Sequence, residues 1–233
     1  MTLPILLHVP DGFLSFPVAV TMYLLAGIFV GVAVRRAGAD QNESTAPLLG
    51  VLAAFIFAGQ MMNFPVAGGT SGHMLGGALA AILVGPWAAI VILTAVVSVQ
   101  ALIFQDGGLA ALGANVFNMG VTTAFVATAV FLLIVKLLGR DRRALLLASF
   151  AAAWCSVMVS AGLTSVQLAV SDTSPWGVVL PAMLGVHALI GIGEGLITVA
   201  AVGLVLSARP DLIRLVPTRM QPGHIALEGS SAS

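Results

Sequence analysis

Of the 233 residues, 59% are hydrophobic and 8% charged, whereas a soluble domain is roughly one quarter charged, so a water-soluble enzyme is excluded. Nine Lys and Arg balance nine Asp and Glu, which leaves no basic surface to neutralise phosphates, and no nucleic-acid partner is expected. The single Cys, Cys155, lies in an apolar run and has no second Cys to pair with.

Met1 to Leu7 lacks the basic n-region of a signal peptide. Apolar stretches of membrane-spanning length predict spans near 17–34, 46–62, 73–85, 86–105, 113–138, 144–170 and 178–206, a single transmembrane domain over 1–206, and a partly disordered tail over 207–233. The third and fourth spans come from one continuous apolar run. As a single helix it would reach about 50 Å, against a hydrocarbon core of about 30 Å. Gly85 and Pro86 supply the break, because proline disfavours helical geometry in the residue before it and starts a new helix well. The basic residues fall in three places: Arg35 and Arg36; Lys136, Arg140, Arg142 and Arg143; Arg209, Arg214 and Arg219. Short cytoplasmic loops collect Lys and Arg, so an even number of spans must separate the first two clusters, and the break at Gly85–Pro86 makes four. The fold predicted is an all-α integral membrane protein with seven transmembrane helices, its amino terminus outside and its carboxyl terminus cytoplasmic.

Gly27 and Gly31, Gly72 and Gly76, and Gly191 and Gly195 have the spacing that lets helices approach closely in lipid. His8 stands just outside the first span, in Leu7-His8-Val9-Pro10-Asp11-Gly12. His73 closes the glycine-rich Gly68-Gly69-Thr70-Ser71-Gly72-His73. The span that follows it is short, so its first turn begins below the outer surface, and Gly-interrupted short spans point to transport sites. At a helix amino terminus the dipole favours a neutral imidazole, available as a ligand. Two imidazoles on the outer side suit a late first-row divalent cation. Asn63, Ser71, Gln100, Asn115 and Asn118 lie at the outer ends of their spans and suit either support of a metal-bound imidazole or bonding between helices. His187 and Glu194 lie two turns apart within the last span, and an intramembrane carboxylate is costly enough to mark a role: a polar clamp between helices, a partner contact, or a step on the metal path. His224 lies in the tail. Asp11, Asp106 and Asp172 fall on the outer side, where no Lys or Arg offsets them, a mildly negative entrance for a cation.

Together these motifs resemble the CbiM/NikM family, the substrate-capture (S) components of energy-coupling-factor (ECF) cobalt and nickel ABC importers. The resemblance is carried by His8-Val9-Pro10-Asp11-Gly12-Phe13-Leu14-Ser15, by Gly68 through His73, by Gly85-Pro86-Trp87 through Gln100-Ala101-Leu102, by Asp106-Gly107-Gly108-Leu109 and Ala114-Asn115-Val116-Phe117-Asn118-Met119-Gly120, and by His187 through Gly195. It implies a transporter subunit, not an enzyme, in the plasma (inner) membrane of a prokaryote. That subunit captures Co2+ or Ni2+, which in the cobalt case feeds cobalamin biosynthesis. Its partners would be a transmembrane coupling subunit, a small accessory membrane subunit and cytoplasmic ATPases. The chain has no phosphate-binding G-x-x-x-x-G-K-[ST] loop of its own. The resemblance further implies that the transported metal, which is cargo and no permanent cofactor, is held by a terminal amine, the nitrogens of the following His and a second His. Here these positions are Leu7, His8 and His73. Fused chelate rings of this kind favour planar Ni2+ or Cu2+ and exclude Mg2+ and Ca2+.

Two alternatives rest on other residues. Gly69-Thr70-Ser71-Gly72 with His187 matches an intramembrane serine protease of rhomboid type, and His187 with Glu194 a proton-coupled secondary transporter. The His8 segment also departs from the family pattern. A peptide bond between Leu6 and Leu7 stands where the amine belongs, and we hypothesise that translation starts at the Leu7 codon, with methionine. The intact mass of the native protein is expected to lack residues 1–6, and a mass that contains them rules this start out.

Overall fold

The computed structural model describes residues 8–39, 45–61, 64–66 and 70–215, with the backbone alone at 39, 45, 64–66 and 70–72. In lipid, backbone polar groups must be paired within the protein, and the apolar stretches accordingly form helices. These are α1 (Phe16–Ala39), α2 (Thr45–Met61), α3 (Gly77–Val84), α4 (Pro86–Ile103), α5 (Leu112–Val116), α6 (Thr123–Leu138), α7 (Arg142–Val170) and α8 (Trp176–Ala208). A π-helical turn, Phe117–Thr122, joins α5 to α6 without interruption, and a 3-10 turn, Pro210–Leu212, follows α8. One short antiparallel pair, β1 (Phe64–Val66) with β2 (Thr70–Gly72), precedes α3, with Pro65 opposite Ser71.

The expectation of seven spans is corrected. Among the described residues five helices are long and apolar enough to cross a membrane: Phe16–Gly38, Pro86–Ile103, Leu112–Leu138, Arg142–Val170 and Trp176–Ala208. α2 has 17 residues, and α3 has eight, a rise of about 12 Å. Residues 73–76 are not helical, so α3 begins four residues later than the apolar run. The charge argument fixes only whether the count between two basic clusters is odd or even. The two full-length helices between Arg36 and Arg140 satisfy it as well as four would.

The short α3 is the centre of the molecule. All eight of its residues are buried, and it is apolar all round, as a helix enclosed on every side must be. Ile56 of α2, Ile90 and Leu93 of α4, Phe131 of α6 and Val202 of α8 belong to the same core. Gly76 and Gly77 admit this packing: a Cβ at Gly76 would stand 2.7 Å from Ile56, and one at Gly77 only 1.8 Å from Thr123 Oγ1. α7 and α8 close on each other through the glycines noted above. A Cβ at Gly191 would lie 2.9 Å from Trp154, and one at Gly195 would lie 2.6 Å from Phe150. Gly27 and Gly31 meet nothing within 4 Å among the described residues, so that pair makes no close approach within the chain.

The basic clusters gather at one end. Arg142 donates to Ser207 Oγ (2.9 Å) and to the Gly203 carbonyl (3.3 Å), and the Arg36 guanidinium lies 4.6 Å over the Trp87 ring. Beyond α8 the chain folds back rather than fraying: the Arg214 and Leu215 N–H groups donate to the carbonyls of Leu83 (3.1 Å) and Ile82 (3.3 Å), closing the carboxyl end of α3. Of the tail expected to be partly disordered, residues through 215 are described, and Arg219 and His224 lie outside the described residues. Gly77→Ala is expected to destabilise the bundle by about 1–3 kcal/mol through overpacking against Thr123, read as a lowered melting temperature in detergent. An unchanged melting temperature contradicts this packing.

Candidate metal site

Opposite the basic end, the segment before α1 docks onto the loop between α4 and α5. Asn115 of α5 clasps Val9 at both main-chain groups: its Oδ1 accepts from the Val9 N–H (3.2 Å) and its Nδ2 donates to the Val9 carbonyl (3.1 Å). The Gly108 N–H donates to the same carbonyl (3.0 Å). Asp11 Oδ1 accepts from the Ala110 N–H (2.7 Å), Tyr23 donates to the Leu109 carbonyl, and Thr173 donates to the Phe13 carbonyl. Glycine is required where the two strands of chain touch. Gly107 has φ +100°, and a Cβ there would stand 2.8 Å from that of His8; one at Gly108 would stand 2.1 Å from Asp11 Oδ1.

This docking buries His8, and it brings the His8 ring to 4.9 Å from that of His73, centre to centre, at 70° between planes. With a metal–nitrogen bond of about 2.0–2.1 Å, a shared metal would lie about 3.2 Å from each ring centre. Two imidazoles at right angles around one ion would then stand about 4.5 Å apart, so the observed spacing fits neighbouring positions on one cation. Each ring turns Nδ1 to a main-chain carbonyl, His8 to Asp106 (3.1 Å) and His73 to Met74 (2.9 Å). A carbonyl can only accept, so Nδ1 carries the proton and Nε2 the lone pair, the way metal-binding imidazoles are usually oriented. His8 Nε2 is buried without a hydrogen-bond partner among the described residues. The Asp106 carboxylate lies 3.5 Å from His8 Nδ1. The fused chelate implied for Leu7 and His8 would need His8 Nδ1, the atom engaged by Asp106 here, and Leu7 lies outside the described residues.

His73 is held from the other side by the chain that follows it. Glu194 of α8, 2% exposed, accepts the Leu75 N–H at Oε2 (2.7 Å) and the Gly76 N–H at Oε1 (2.9 Å). Gln60 of α2 donates to the Leu75 carbonyl (2.7 Å). His187 does not share in this: its Nδ1 faces the Met183 carbonyl of its own helix (2.8 Å).

The remaining predicted residues divide. Asn115 binds main chain beside His8, as described. Asn118 belongs elsewhere, exchanging bonds with Gln167 (2.8 and 2.9 Å) and donating to Thr164 (3.1 Å), which ties the π turn to α7. Ser160 donates to the Asn118 carbonyl (3.1 Å) in the same turn. Gln100 is fully buried, and its main-chain carbonyl accepts the Asp106 N–H (3.0 Å). Its side-chain amide has no hydrogen-bond partner among the described residues. Asn63 lies outside the described residues, and Ser71 is described by its backbone in β2. The sequence had offered Asp106 only as an entrance charge, and Gln60 not at all. The turn Asp106-Gly107-Gly108 and a glutamine inside an apolar helix were the available signals.

A multi-pass helical membrane protein with two histidines converging at one end is thus the class this geometry defines. The family model described as the cobalt uptake substrate-specific transmembrane region, CbiM, matches residues 8–212, and the chain belongs to that family. Its relatives include a putative fused nickel transport protein, NikMN, of Archaeoglobus fulgidus, 39% identical over 95% of this chain and 72% of its own length. A putative metal transport protein of Haloquadratum walsbyi is 40% identical over 89% of this chain and 93% of its own. The cobalt transport protein CbiM of Sorangium cellulosum is 32% identical over 93% and 99%. The crystal structure of a truncated transition metal transporter superposes with a TM-score of 0.74 at 30% identity, covering 86% of this chain and 99% of that one. Membership makes this a membrane subunit for metal transport, in place of the protease alternative. Asn115→Ala is expected to release the His8 segment, at a cost of about 1–3 kcal/mol for the groups left unpaired. Hydrogen exchange checks this: the Val9 amide should exchange at least several-fold faster, and unchanged protection contradicts the clasp.

Proposed function

We propose that this chain captures Co2+ or Ni2+ at His8 and His73 and delivers it with partner subunits, a coupling membrane protein, a small accessory membrane subunit and ATPases, across the plasma membrane of a prokaryote. The observation that carries the reading is the pair of buried imidazoles 4.9 Å apart, each with Nδ1 held by a carbonyl. Nitrogen donors favour the late first-row divalent ions over Mg2+ and Ca2+, and the two metals stand side by side in affinity order. A free amine at Leu7 would join this set as a chelate only with His8 Nδ1 released from the Asp106 carbonyl. The names of the relatives, cobalt and nickel transport proteins, support the same cargo. So does the placement of the histidines at the end remote from the basic clusters, as loading from outside the cell requires. ATP-driven delivery is favoured over proton coupling because both Glu194 oxygens are committed to main-chain bonds.

His8→Ala and His73→Ala are each expected to weaken Ni2+ and Co2+ binding by the purified protein by about a hundredfold or more, measured by competition with a chromogenic chelator. Wild-type affinity in either variant overturns the site.

A further inference from the structure

The stretch from His73 to α3 is irregular, yet its main chain is gripped at three consecutive groups. The Leu75 N–H and Gly76 N–H donate to one carboxylate, and the Leu75 carbonyl accepts from one amide. Both gripping side chains are buried, Gln60 at 0% and Glu194 at 2% exposure, and among the described residues Glu194 makes no ion pair. Capping two N–H groups needs acceptors but no buried charge, and an uncompensated carboxylate in the membrane interior is costly. What a carboxylate provides is two coplanar acceptors on one rigid group, so two successive peptide N–H groups are fixed in direction as well as in place. The Leu75 N–H belongs to the same peptide as the Met74 carbonyl that orients the His73 ring, and the Gly76 N–H to the next. Gly76, at φ +77°, lies against Ile56 and completes the turn.

We propose that Glu194 and Gln60 are positioning residues for His73: by gripping the main chain at Leu75 and Gly76 they set the His73 ring against His8. The long helix α8 thereby governs how tightly the cation is held. This rests on the capture reading above. A displacement of α8 relative to α3 withdraws the carboxylate from Leu75 and Gly76, lets His73 turn away from His8, and lowers affinity without touching either ligand. From Glu194, α8 continues to the basic end, where Arg142 is bonded to Gly203 and Ser207, so a pull applied at that end reaches the cation through Glu194.

The test is Ni2+ affinity, together with the visible absorption of the bound ion, for purified wild type, Glu194→Gln, Gln60→Leu, His73→Ala and the Glu194→Gln/His73→Ala double variant. Glu194→Gln keeps the volume and loses one of the two acceptors. It is expected to weaken binding about tenfold or more and to move the ligand-field band. Gln60→Leu should move the same band with a smaller loss. Because the effect runs through His73, Glu194→Gln should cost less than about twofold once His73 is alanine. Wild-type affinity and band in Glu194→Gln overturn the proposal, and so does an equal loss in both backgrounds. If Glu194→Gln shows no cooperative melting in detergent, Gln60→Leu decides: a shifted band with weaker binding supports the proposal, and an unchanged band and affinity overturn it. Absence of Ni2+ binding by wild type, or full affinity in His73→Ala, defeats the capture reading and this inference together. Loss in His73→Ala with none in either Glu194→Gln or Gln60→Leu defeats this inference alone.

Discussion

An eight-residue helix enclosed on all sides by other helices persists in a membrane protein only if protein groups satisfy both of its ends. α3 is such a helix, and much of the architecture is the answer to its ends. On the amino side the Glu194 carboxylate takes the N–H groups of Leu75 and Gly76, the two residues that lead into the helix, which requires α8 to lie alongside. At the carboxyl end the chain beyond α8 returns so that Arg214 and Leu215 reach the carbonyls of Leu83 and Ile82. An unpaired buried N–H or carbonyl costs about 1–3 kcal/mol even in a protein interior, and lipid offers no alternative partner. One helix, α8, and the segment it leads into therefore hold both the approach to this eight-residue helix and its carboxyl end.

The histidine pair sits where two irregular segments meet, and each is fixed by its main chain. The Val9 peptide is clasped by Asn115, and the Leu75 and Gly76 peptides by Glu194. Side chains that grip backbone leave His8 Nε2 without a hydrogen-bond partner among the described residues, while carbonyls hold Nδ1 of both rings and so choose the tautomer. Such a site is orderly before cargo arrives, which lowers the entropy cost of binding. It also depends on elements distant in the chain, since Asp106, Met74 and Glu194 come from different parts of the bundle.

How much of this was legible in the sequence depends on which property was needed. Apolar length located the long helices within a few residues: 86–105 was expected where Pro86–Ile103 is found, and 178–206 where Trp176–Ala208 is found. Pro86 marked the break because the ring pushes the residue before it out of the helical region, and Gly85 takes an extended ψ of 162°, with a φ of +84° that glycine tolerates. Hydropathy could not separate a full span from a buried short helix, since both are apolar throughout. For that reason residues 73–85 counted as a span, although only Gly77–Val84 is helical. Position near a span end likewise could not sort the asparagines. Asn115 faces Val9 and Asn118 faces Gln167 and Thr164, a difference set by the three-residue offset between them and by partners 46 to 106 residues away.

By itself the sequence determined that the chain is membrane-embedded, where its helices break, and that His8 and His73 are its candidate nitrogen ligands. Composition, proline geometry and donor chemistry act locally and can be read locally. The tertiary structure alone decided that α3 is enclosed rather than spanning, that His8 and His73 meet at 4.9 Å, and that Glu194 grips the backbone beside His73 rather than pairing with His187. These depend on which distant groups come to face one another. A buried polar group is satisfied by whichever partner the packing brings to it, wherever that partner lies in the chain.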